Sequence, residues 1–451
     1  MRLETLINKV TNYKFFKIKN TQILHEKGCK EIRIQIEARK NSKPICSVCN
    51  NPTTIYDTRK ARLFQFVPIL NIQTYFEYKM RRCNCHQCQK VTMEKVPWGE
   101  GKNKLTYEYT SFLASYAKDM SWKTVASRFK TSWQTVFRSV KKVVEYGLKN
   151  RKIDNITAIG IDEVKYKYGH KYITLVYQID KGCRRLLWLG KDRTKKTLRK
   201  FFADTWKEDR RFRRNIKVAC TDMWQAYLTV LKEKIPNAVN ILDKFHIMQK
   251  LNDAVDTLRK DEVKRLKKEG DEVTLKHSRW CLLKRKFNLT KSQKGKLKEL
   301  VVLNLNVVKG YILKEQFHKF WEYNSPTWAK KFLNNWCALV HEEELNSKPK
   351  VNTEQKKKGK KDKNKKEEPE SKPIFDALIK FTKTLKRHED LILNYFRAKK
   401  EFNSGVVEGL NRNVNLTVRK AYGYSSYDVF RIALFHQMGK LPEPYFKHEF
   451  W

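Results

Sequence analysis

Three acidic residues sit where carboxylates do metal chemistry. Asp162 closes the strand-like run Thr157-Ala-Ile-Gly-Ile-Asp-Glu, Asp222 closes Ile216-Lys-Val-Ala-Cys-Thr-Asp, and Glu408 falls early in a predicted helix. Carboxylates at the carboxyl ends of neighbouring strands converge on hard divalent cations. A pair of such ions activates the attacking oxygen and stabilises the leaving oxygen of a phosphodiester. Asp162 and Glu163 point to opposite faces of their strand, so one of them enters such a site. Ile159 and Ile161 share the parity of Glu163, which leaves Asp162 as the candidate. Asp243-x-x-His246 follows another strand-like run and opens a helix. Asp243 is expected to cap that helix, and His246 either supports the site, by holding a scissile phosphate or orienting a ligand, or is a structural histidine.

The elements that must position these groups follow from periodicity. Thr157 to Val164, Tyr172 to Asp180 and Arg185 to Leu189 read as strands. Thr194 to Trp206 reads as an amphipathic helix with Leu198, Phe201 and Phe202 inward. Ile216 to Thr221 is the next strand, Met223 to Lys234 a helix, and Ala238 to Leu242 another strand. Three strands followed by alternating helix and strand match the order of a ribonuclease H-like α/β fold. Some 185 residues separate Asp222 from Glu408. That is far more than a connection inside a compact core needs, so a helical insertion from Lys244 to about Tyr395 is expected to interrupt the fold. Trp280, Trp321, Trp328 and Trp336 are its expected packing anchors, with support of an extruded base as the alternative for one of them. Counting from Glu408, Asn411, Arg412, Asn415 and Arg419 recur at helical intervals beside an apolar stripe of Val407, Leu410, Val414 and Val418. Such a row suits a metal ligand flanked by groups that hold DNA phosphates; the plainer alternative is an exposed Glu408 to Arg412 ion pair.

Cysteine spacing points to a second metal. Of ten cysteines, Cys46-Ser-Val-Cys49 and Cys85-His-Gln-Cys88 form two C-x-x-C knuckles whose thiolates can close a tetrahedral zinc site. Cys83 or His86 offers a substitute ligand, and reduced surface thiols are the alternative without zinc. Between the knuckles Ile72, Thr74, Phe76, Tyr78 and Met80 alternate with Gln73, Glu77, Lys79 and Arg81, the pattern of a half-buried strand in a hairpin. Further on, Ser121 is expected to cap a helix over Trp122 to Phe129. A short turn at Lys130-Thr-Ser132 then leads to a second helix with Trp133, Val136, Phe137, Val140 and Val143 on one face. This is a helix-turn-helix pattern, or else an ordinary helical linker. Its other face presents Gln134, Thr135, Arg138, Lys141 and Lys142, suited to base edges and phosphates of a major groove.

Charge names the partner class. Lys and Arg number 97 against 48 Asp and Glu, a net charge of +49, which calls for a polyanion, with nucleic acid as the default. No signal-peptide core opens the sequence and no apolar run approaches the roughly 18 to 20 residues of a spanning helix, so an intracellular protein without a membrane partner is expected. The Lys-dominated stretch within 347–373 is expected to be a disordered loop, being too polar to offset chain entropy.

At this point the residues resemble the DDE transposases of bacterial insertion sequences, in particular the ISL-three family. The matching phrases are Gly160-Ile-Asp-Glu-Val with Gly169-His-Lys-Tyr; Thr221-Asp-Met-Trp-Gln-Ala-Tyr227; Leu242-Asp-Lys-Phe-His246; and Val407-Glu-Gly-Leu-Asn411 ahead of Arg419-Lys-Ala-Tyr-Gly-Tyr424. The Lys-rich insert departs from the family pattern. The resemblance implies a zinc-binding β region (1–100), a helix-turn-helix (101–150), a ribonuclease H-like core (151–258 and 396–451) and a helical insertion (259–395). It implies Asp162, Asp222 and Glu408 as a catalytic triad holding Mg²⁺ or Mn²⁺, His246 as a supporting group, and structural Zn²⁺ on the cysteines. Arg412 and Arg419 join the second helix of the helix-turn-helix as DNA contacts. The activity implied is cleavage at the terminal inverted repeats and strand transfer into target double-stranded DNA, by a homodimer or higher assembly in the bacterial cytoplasm at the nucleoid. The alternative is a non-catalytic DNA-binding regulator derived from such an enzyme.

Overall fold

The computed structural model describes residues 2–26, 28–167, 171–271, 273–303, 305–347, 373–401, 405–420, 424 and 426–444. The Lys-rich stretch expected to be a loop lies almost wholly outside them. The chain divides into two units, residues 1–152 with 414–451, and residues 153–413. Among the described residues no helix is long and apolar enough to cross a membrane.

The first unit opens with α1 (Leu3–Thr11), followed by a five-stranded sheet of β1 (Phe16–Glu26), β2 (Cys29–Ala38), β3 (Thr54–Ile69), β4 (Ile72–Cys85) and β5 (Lys90–Met93). The order is β1-β2-β4-β3, with β5 paired to β4. The β3–β4 hairpin turns through Leu70 and Asn71 alone, at φ +51° and +62°. Two successive left-handed residues match the right-handed twist of the flanking strands, a role that suits Asn71 better than Leu70. The expected alternation holds from Thr74 to Met80: Thr74, Phe76, Tyr78 and Met80 are buried, and Phe76 and Tyr78 join Phe16 and Phe64 around Trp98. It fails at Arg81, which is buried. The Glu94 carboxylate takes its guanidinium at 2.7 Å, the Arg81 amide at 2.7 Å and the Tyr78 hydroxyl at 2.7 Å, so that no charge is left unpaired inside.

Helices α2 (Tyr107–Asp119), α3 (Trp122–Arg128) and α4 (Trp133–Asn150) follow. Ser121 accepts the Thr124 amide at 3.1 Å, as expected of a cap, and Ser132 accepts the Thr135 amide at 3.2 Å. Lys130 makes the turn between α3 and α4 at φ +48°. Val136, Val140, Val143, Val144 and Gly147 are the buried face of α4. A Cβ at Gly147 would lie 2.5 Å from Leu441 Cβ, a close approach that glycine alone permits. Trp133, expected on that buried face, is 40% exposed: it occupies the first helical position, where the chain has only begun to pack.

The second unit is built on a sheet of β6 (Ala158–Lys167), β7 (Lys171–Gln178), β8 (Arg185–Lys191), β9 (Val218–Thr221) and β10 (Val239–Leu242), ordered β10-β9-β6-β7-β8. β6, β7 and β8 run antiparallel in sequence, whereas β9 pairs parallel with β6 and β10 parallel with β9. α5 (Lys195–Glu208), α6 (Phe212–Asn215) and α7 (Gln225–Lys234) supply the crossovers. Leu198, Phe201, Phe202 and Thr205 recur at helical spacing and bury α5 against Ile159, Ile161, Val176 and Leu187. β6 continues beyond Asp162 to Lys167, so that acid sits within its strand rather than at its end.

After β10 the chain is helical: α8 (Lys244–Lys268), α9 (Arg279–Leu283), α10 (Lys291–Val302), α11 (Asn306–His318), α12 (Pro326–Ser347), α13 (Asp376–Arg387) and α14 (Glu389–Arg397). Trp321 and Trp336 are buried among Phe317, Phe320, Phe381 and Phe396, as anchors should be. Trp280 and Trp328 are not anchors. Both are more than half exposed, with Arg279 and Lys331 lying over their rings at 5.1 and 5.3 Å. The buried Lys314 ammonium takes the carbonyls of Leu282, Leu283 and Lys284 at 2.8, 3.2 and 3.1 Å, satisfying the orphan carbonyls at the end of α9. On its return the chain meets the sheet again, where the Asn394 side chain of α14 donates to the Asn240 carbonyl of β10 at 2.8 Å. α15 (Gly405–Lys420) then supplies Glu408.

Candidate metal centres and their surroundings

Strand register brings the acids to one level. Gly160 of β6 is opposite Cys220 of β9, and Thr221 of β9 is opposite Leu242 of β10. Asp162 therefore faces the turn at Asp222, and Asp243 follows immediately on the next strand, its amide bonded to the Thr221 carbonyl at 2.9 Å. Asp222 accepts the Trp224 amide at 3.0 Å and Asp243 the Phe245 amide at 2.6 Å, each at the entrance to a helix whose N-terminal dipole favours negative charge. Asp243 thus caps α8 as expected, and its other oxygen lies 3.3 Å from His246 Nδ1. Sequence reasoning treated Asp243 as a cap alone. It is also the third carboxylate of the cluster, and the only hint was its place at the end of a strand parallel to the other two.

Crowding of negative charge has a visible electrostatic effect. Burial, with the charges of Asp243 and Asp222 added, pushes the Asp162 carboxyl up to about 6, against the pull of the Glu163 amide and His246. Burial likewise raises Asp222, with Glu163 and Asp243 contributing and His246 opposing. A buried acidic cluster of this kind is a good environment for a hard cation bound through oxygen.

Glu163, on the opposite face of β6, adds its charge to that felt by Asp222 but has a partner of its own. Its carboxylate accepts from Arg193 at 2.7 Å, and the Arg193 guanidinium lies over Tyr172 at 4.2 Å and Trp224 at 4.8 Å. Asp162 and Glu163 thus have different partners on opposite faces of the strand, as the alternation of a strand requires.

Glu408 is exposed on the first turn of α15. Its helix meets β6 at Gly160, where a Cβ would fall 2.6 Å from Val407 Cγ2 and 3.2 Å from Ile179 Cγ2. One turn further, Asn411 donates to Asp162 Oδ2 and accepts from the Tyr177 hydroxyl at 2.7 Å. The neighbour of Glu408 at i+3 thus touches Asp162 itself. Neither contact was legible from spacing, which had placed Asn411 in a row facing DNA. Arg412 and Arg419 do lie exposed on α15.

The other candidate centre is in the first unit. Sγ atoms of Cys46, Cys49, Cys85 and Cys88 all lie within 4.8 Å of one another. Cys46 to Cys88 is 4.0 Å and Cys49 to Cys85 is 3.5 Å, against a tetrahedral edge of about 3.8 Å for zinc–sulfur bonds near 2.3 Å. The Val48 amide points at Cys46 Sγ and the Cys88 amide at Cys85 Sγ, both at 3.4 Å. Asn50 and Gln89, each directly after a second knuckle cysteine, take φ of +61° and +50°. The Thr92 hydroxyl, 3.3 Å away, leads the interactions that pull the Cys46 thiol down to about 6, favouring a thiolate. Cys83 lies outside the quartet and burial pushes its thiol up to about 11; exposed His86 is outside it as well. Among the described residues the three acids are not gathered as closely as these thiols.

On the polar side of α4, Gln134, Arg138 and Lys141 are exposed, and Thr135 and Lys142 half-buried.

Comparison with known proteins bears on both regions. A family model described as Transposase, for the ISL3 group of DDE enzymes, matches residues 159–434. The chain is 25% identical over 388 residues to the transposase for insertion sequence element IS1001 of Bordetella parapertussis, covering 86% of each. It is 24% identical over 411 residues to the transposase for IS1557 of Mycobacterium tuberculosis, covering 84% of this chain and 82% of that relative. Among solved structures it is similar to a chain of the Drosophila P element transposase strand transfer complex, at 9% identity and a TM-score of 0.37, covering 72% of this chain and 91% of that one.

Proposed function

Because the chain belongs to the ISL3 family of DDE transposases, we propose that it binds the terminal inverted repeats of its element, cuts one strand at each end and joins the freed 3′-hydroxyl to target DNA. The observation that carries this reading is the convergence on β6: Asp162, Asp222 and Asp243 at one level of three adjacent strands, with the helix of Glu408 bonded to Asp162 through Asn411. The strand order β10-β9-β6-β7-β8, with the last two strands in sequence parallel to the first, supports a ribonuclease H-like core (151–258 and 396–451) interrupted by the helical insertion (259–395).

Asp162, Asp222 and Glu408 are the residues to hold Mg²⁺ or Mn²⁺, and the charge crowding around Asp162 fits such ions. When bound, the ions lower the pKa of the attacking oxygen and offset charge on the leaving oxygen. The protein's own part is positional. Backbone amides at the helix entrances behind Asp222 and Asp243 hold those carboxylates in position, and Asp243 orients His246 through Nδ1 so that Nε2 can meet a phosphate oxygen. Arg193 draws Glu163 away so that it does not compete for the ions.

DNA is held elsewhere on the chain. α3 and α4 serve as a helix-turn-helix (101–150) that reads the repeat through Gln134, Thr135, Arg138, Lys141 and Lys142, while Arg412 and Arg419 hold phosphates. Zn²⁺ on Cys46, Cys49, Cys85 and Cys88 fixes the end of the β region (1–100). Bringing two ends together requires a homodimer or higher assembly.

The test is cleavage of a labelled repeat end and joining of a pre-cut end to a plasmid, in Mg²⁺. Asp162→Asn, Asp222→Asn and Glu408→Gln should each abolish both reactions while retaining end binding. Cleavage at wild-type rate by any of them removes that residue from the site.

A further inference from the structure

Asn411 was singled out by its spacing from Glu408, yet its side chain is engaged at both ends within the fold. We infer that Asn411, held by Tyr177, is a positioning residue that sets the plane and hydrogen-bonding state of the Asp162 carboxylate. This rests on the reading of Asp162 as a metal ligand.

The relay runs through three elements. Tyr177, fully buried on β7 and opposite Gly160 of β6, donates its hydroxyl to Asn411 Oδ1 at 2.7 Å. Asn411 Nδ2, on α15, donates to Asp162 Oδ2, and Asp162 Oδ1 accepts the Glu163 amide at 2.7 Å. The two ends of an amide differ: one only accepts, the other only donates. A phenol that donates to the oxygen forces the NH₂ toward Asp162. Turned the other way, the amide would set oxygen against a carboxylate oxygen. The observed orientation addresses Asp162 as an acceptor, and the Tyr177 hydroxyl, donating to Asn411 Oδ1, fixes the amide in that plane.

Each Asp162 oxygen then has one N–H partner and keeps further lone-pair capacity for a cation. Rotation about the terminal torsion of an aspartate is otherwise soft, and two N–H groups on opposite oxygens remove that freedom. The same bond ties Asp162 to the helix that carries Glu408 one turn away, so a single amide coordinates the placement of two of the three proposed ligands. The pairing of Gly160 with Val407, two residues before Asp162 and four before Asn411, brings strand and helix close enough for the bond to form.

The experiment uses the full-length, zinc-replete protein and Mn²⁺ as the probe, with free ion followed by electron paramagnetic resonance, alongside circular dichroism and repeat-end binding. Asn411→Ala should weaken Mn²⁺ binding by about 10- to 100-fold, the usual cost of losing a group that orients a metal ligand. The Mg²⁺ concentration for half-maximal cleavage should rise by the same factor. Tyr177→Phe, which deletes one oxygen without changing shape, should move both in the same direction by a smaller factor. The double variant should be no worse than Asn411→Ala, because the two side chains act as one unit. Wild-type Mn²⁺ affinity in Tyr177→Phe and in folded Asn411→Ala overturns the inference. Should Asn411→Ala fail to fold, Tyr177→Phe decides alone. Asp162→Asn separates the two levels of the proposal. If it binds Mn²⁺ as the wild type does, the ligand reading falls and this inference with it. If it loses Mn²⁺ while the relay variants keep it, only the relay falls.

Discussion

Replacing Gly160 with alanine adds one methyl group between β6 and α15. Built on the present backbone, that carbon would sit 2.6 Å from Val407 Cγ2 and 3.2 Å from Ile179 Cγ2, well inside van der Waals contact. Val407 is itself buried and cannot swing into solvent, so α15 must move away from the strand. Overpacking of this kind costs about 1–3 kcal/mol, and removing a strand glycine returns about 0.5–1. The net loss of stability should be roughly 1–2 kcal/mol, a fall of about 2–4 °C in Tm for each kcal/mol in a unit of this size. Activity should fall further. Val407 adjoins Glu408, and Asn411 lies one turn on, so a shift of about 1 Å misplaces a proposed ligand and the amide on Asp162 together, enough to cost about 100-fold in rate. The compensating change is Val407→Ala, which removes the clashing methyl. Alone it leaves a small cavity and costs about 2 kcal/mol; combined with Gly160→Ala it should restore cleavage to within about 10-fold of wild type, with stability close to that of Val407→Ala alone. The assays are Mg²⁺-dependent cleavage of a labelled repeat end and thermal unfolding of the four proteins. Full activity in Gly160→Ala, or additive losses in the double variant, would refute the close packing of strand and helix as the source of the effect.

Three further outcomes are expected. Cys85→Ser should lose the bound zinc measured by elemental analysis and unfold at lower temperature, since structural zinc in small domains contributes on the order of 10 kcal/mol of binding free energy to folding; retention of a full zinc equivalent would remove Cys85 from the site. Burial and the nearby Lys118 hold His436 down to about 4. The unfolded chain therefore takes up a proton that the folded chain refuses as pH falls below about 6.5, and stability present above that pH is lost toward pH 4, by up to about 3 kcal/mol. His436→Leu should flatten that part of the urea-unfolding pH profile, and parallel profiles would contradict the assignment. Affinity for repeat DNA should fall steeply with salt, and Lys141→Ala with Lys142→Ala should reduce the slope of log K against log salt by up to about 2; an unchanged slope would mean that these lysines do not meet phosphates.

What the sequence revealed depended on the range of the interactions involved. Alternation from Thr74 to Met80, the caps at Ser121 and Asp243, and the stripe on α5 are local, decided by residues a few positions apart, and each appears in the structure. The cysteine cluster was legible because its thiols come in close pairs. That Asp162 and Glu163 face opposite sides of β6 followed from strand parity alone. Pairings across long separations were not legible. Arg81 looked solvent-facing until Glu94 on the far side of the second cysteine knuckle supplied its counter-charge. Trp280 and Trp328 were taken for anchors because size was the only information available, and whether a large ring is covered depends on neighbours far away in the chain. Asn411 and Tyr177 lie 234 positions apart. No periodicity connects them, and only the packing of α15 against β6 and β7 brings the amide to both Tyr177 and Asp162.

The helical excursion leaves β10 through Asp243 and comes back to the same strand through Asn394, before α15 begins. Departure and re-entry are thus moored to one edge, like two ends of a rope made fast to a single post. With both moorings on β10, the stretch between them can vary in length and surface without altering the strand register that sets Asp162, Asp222 and Asp243 level. The bound Asn240 carbonyl has a second effect: with a side chain already occupying it, that margin of the sheet offers a poorer template for another extended chain.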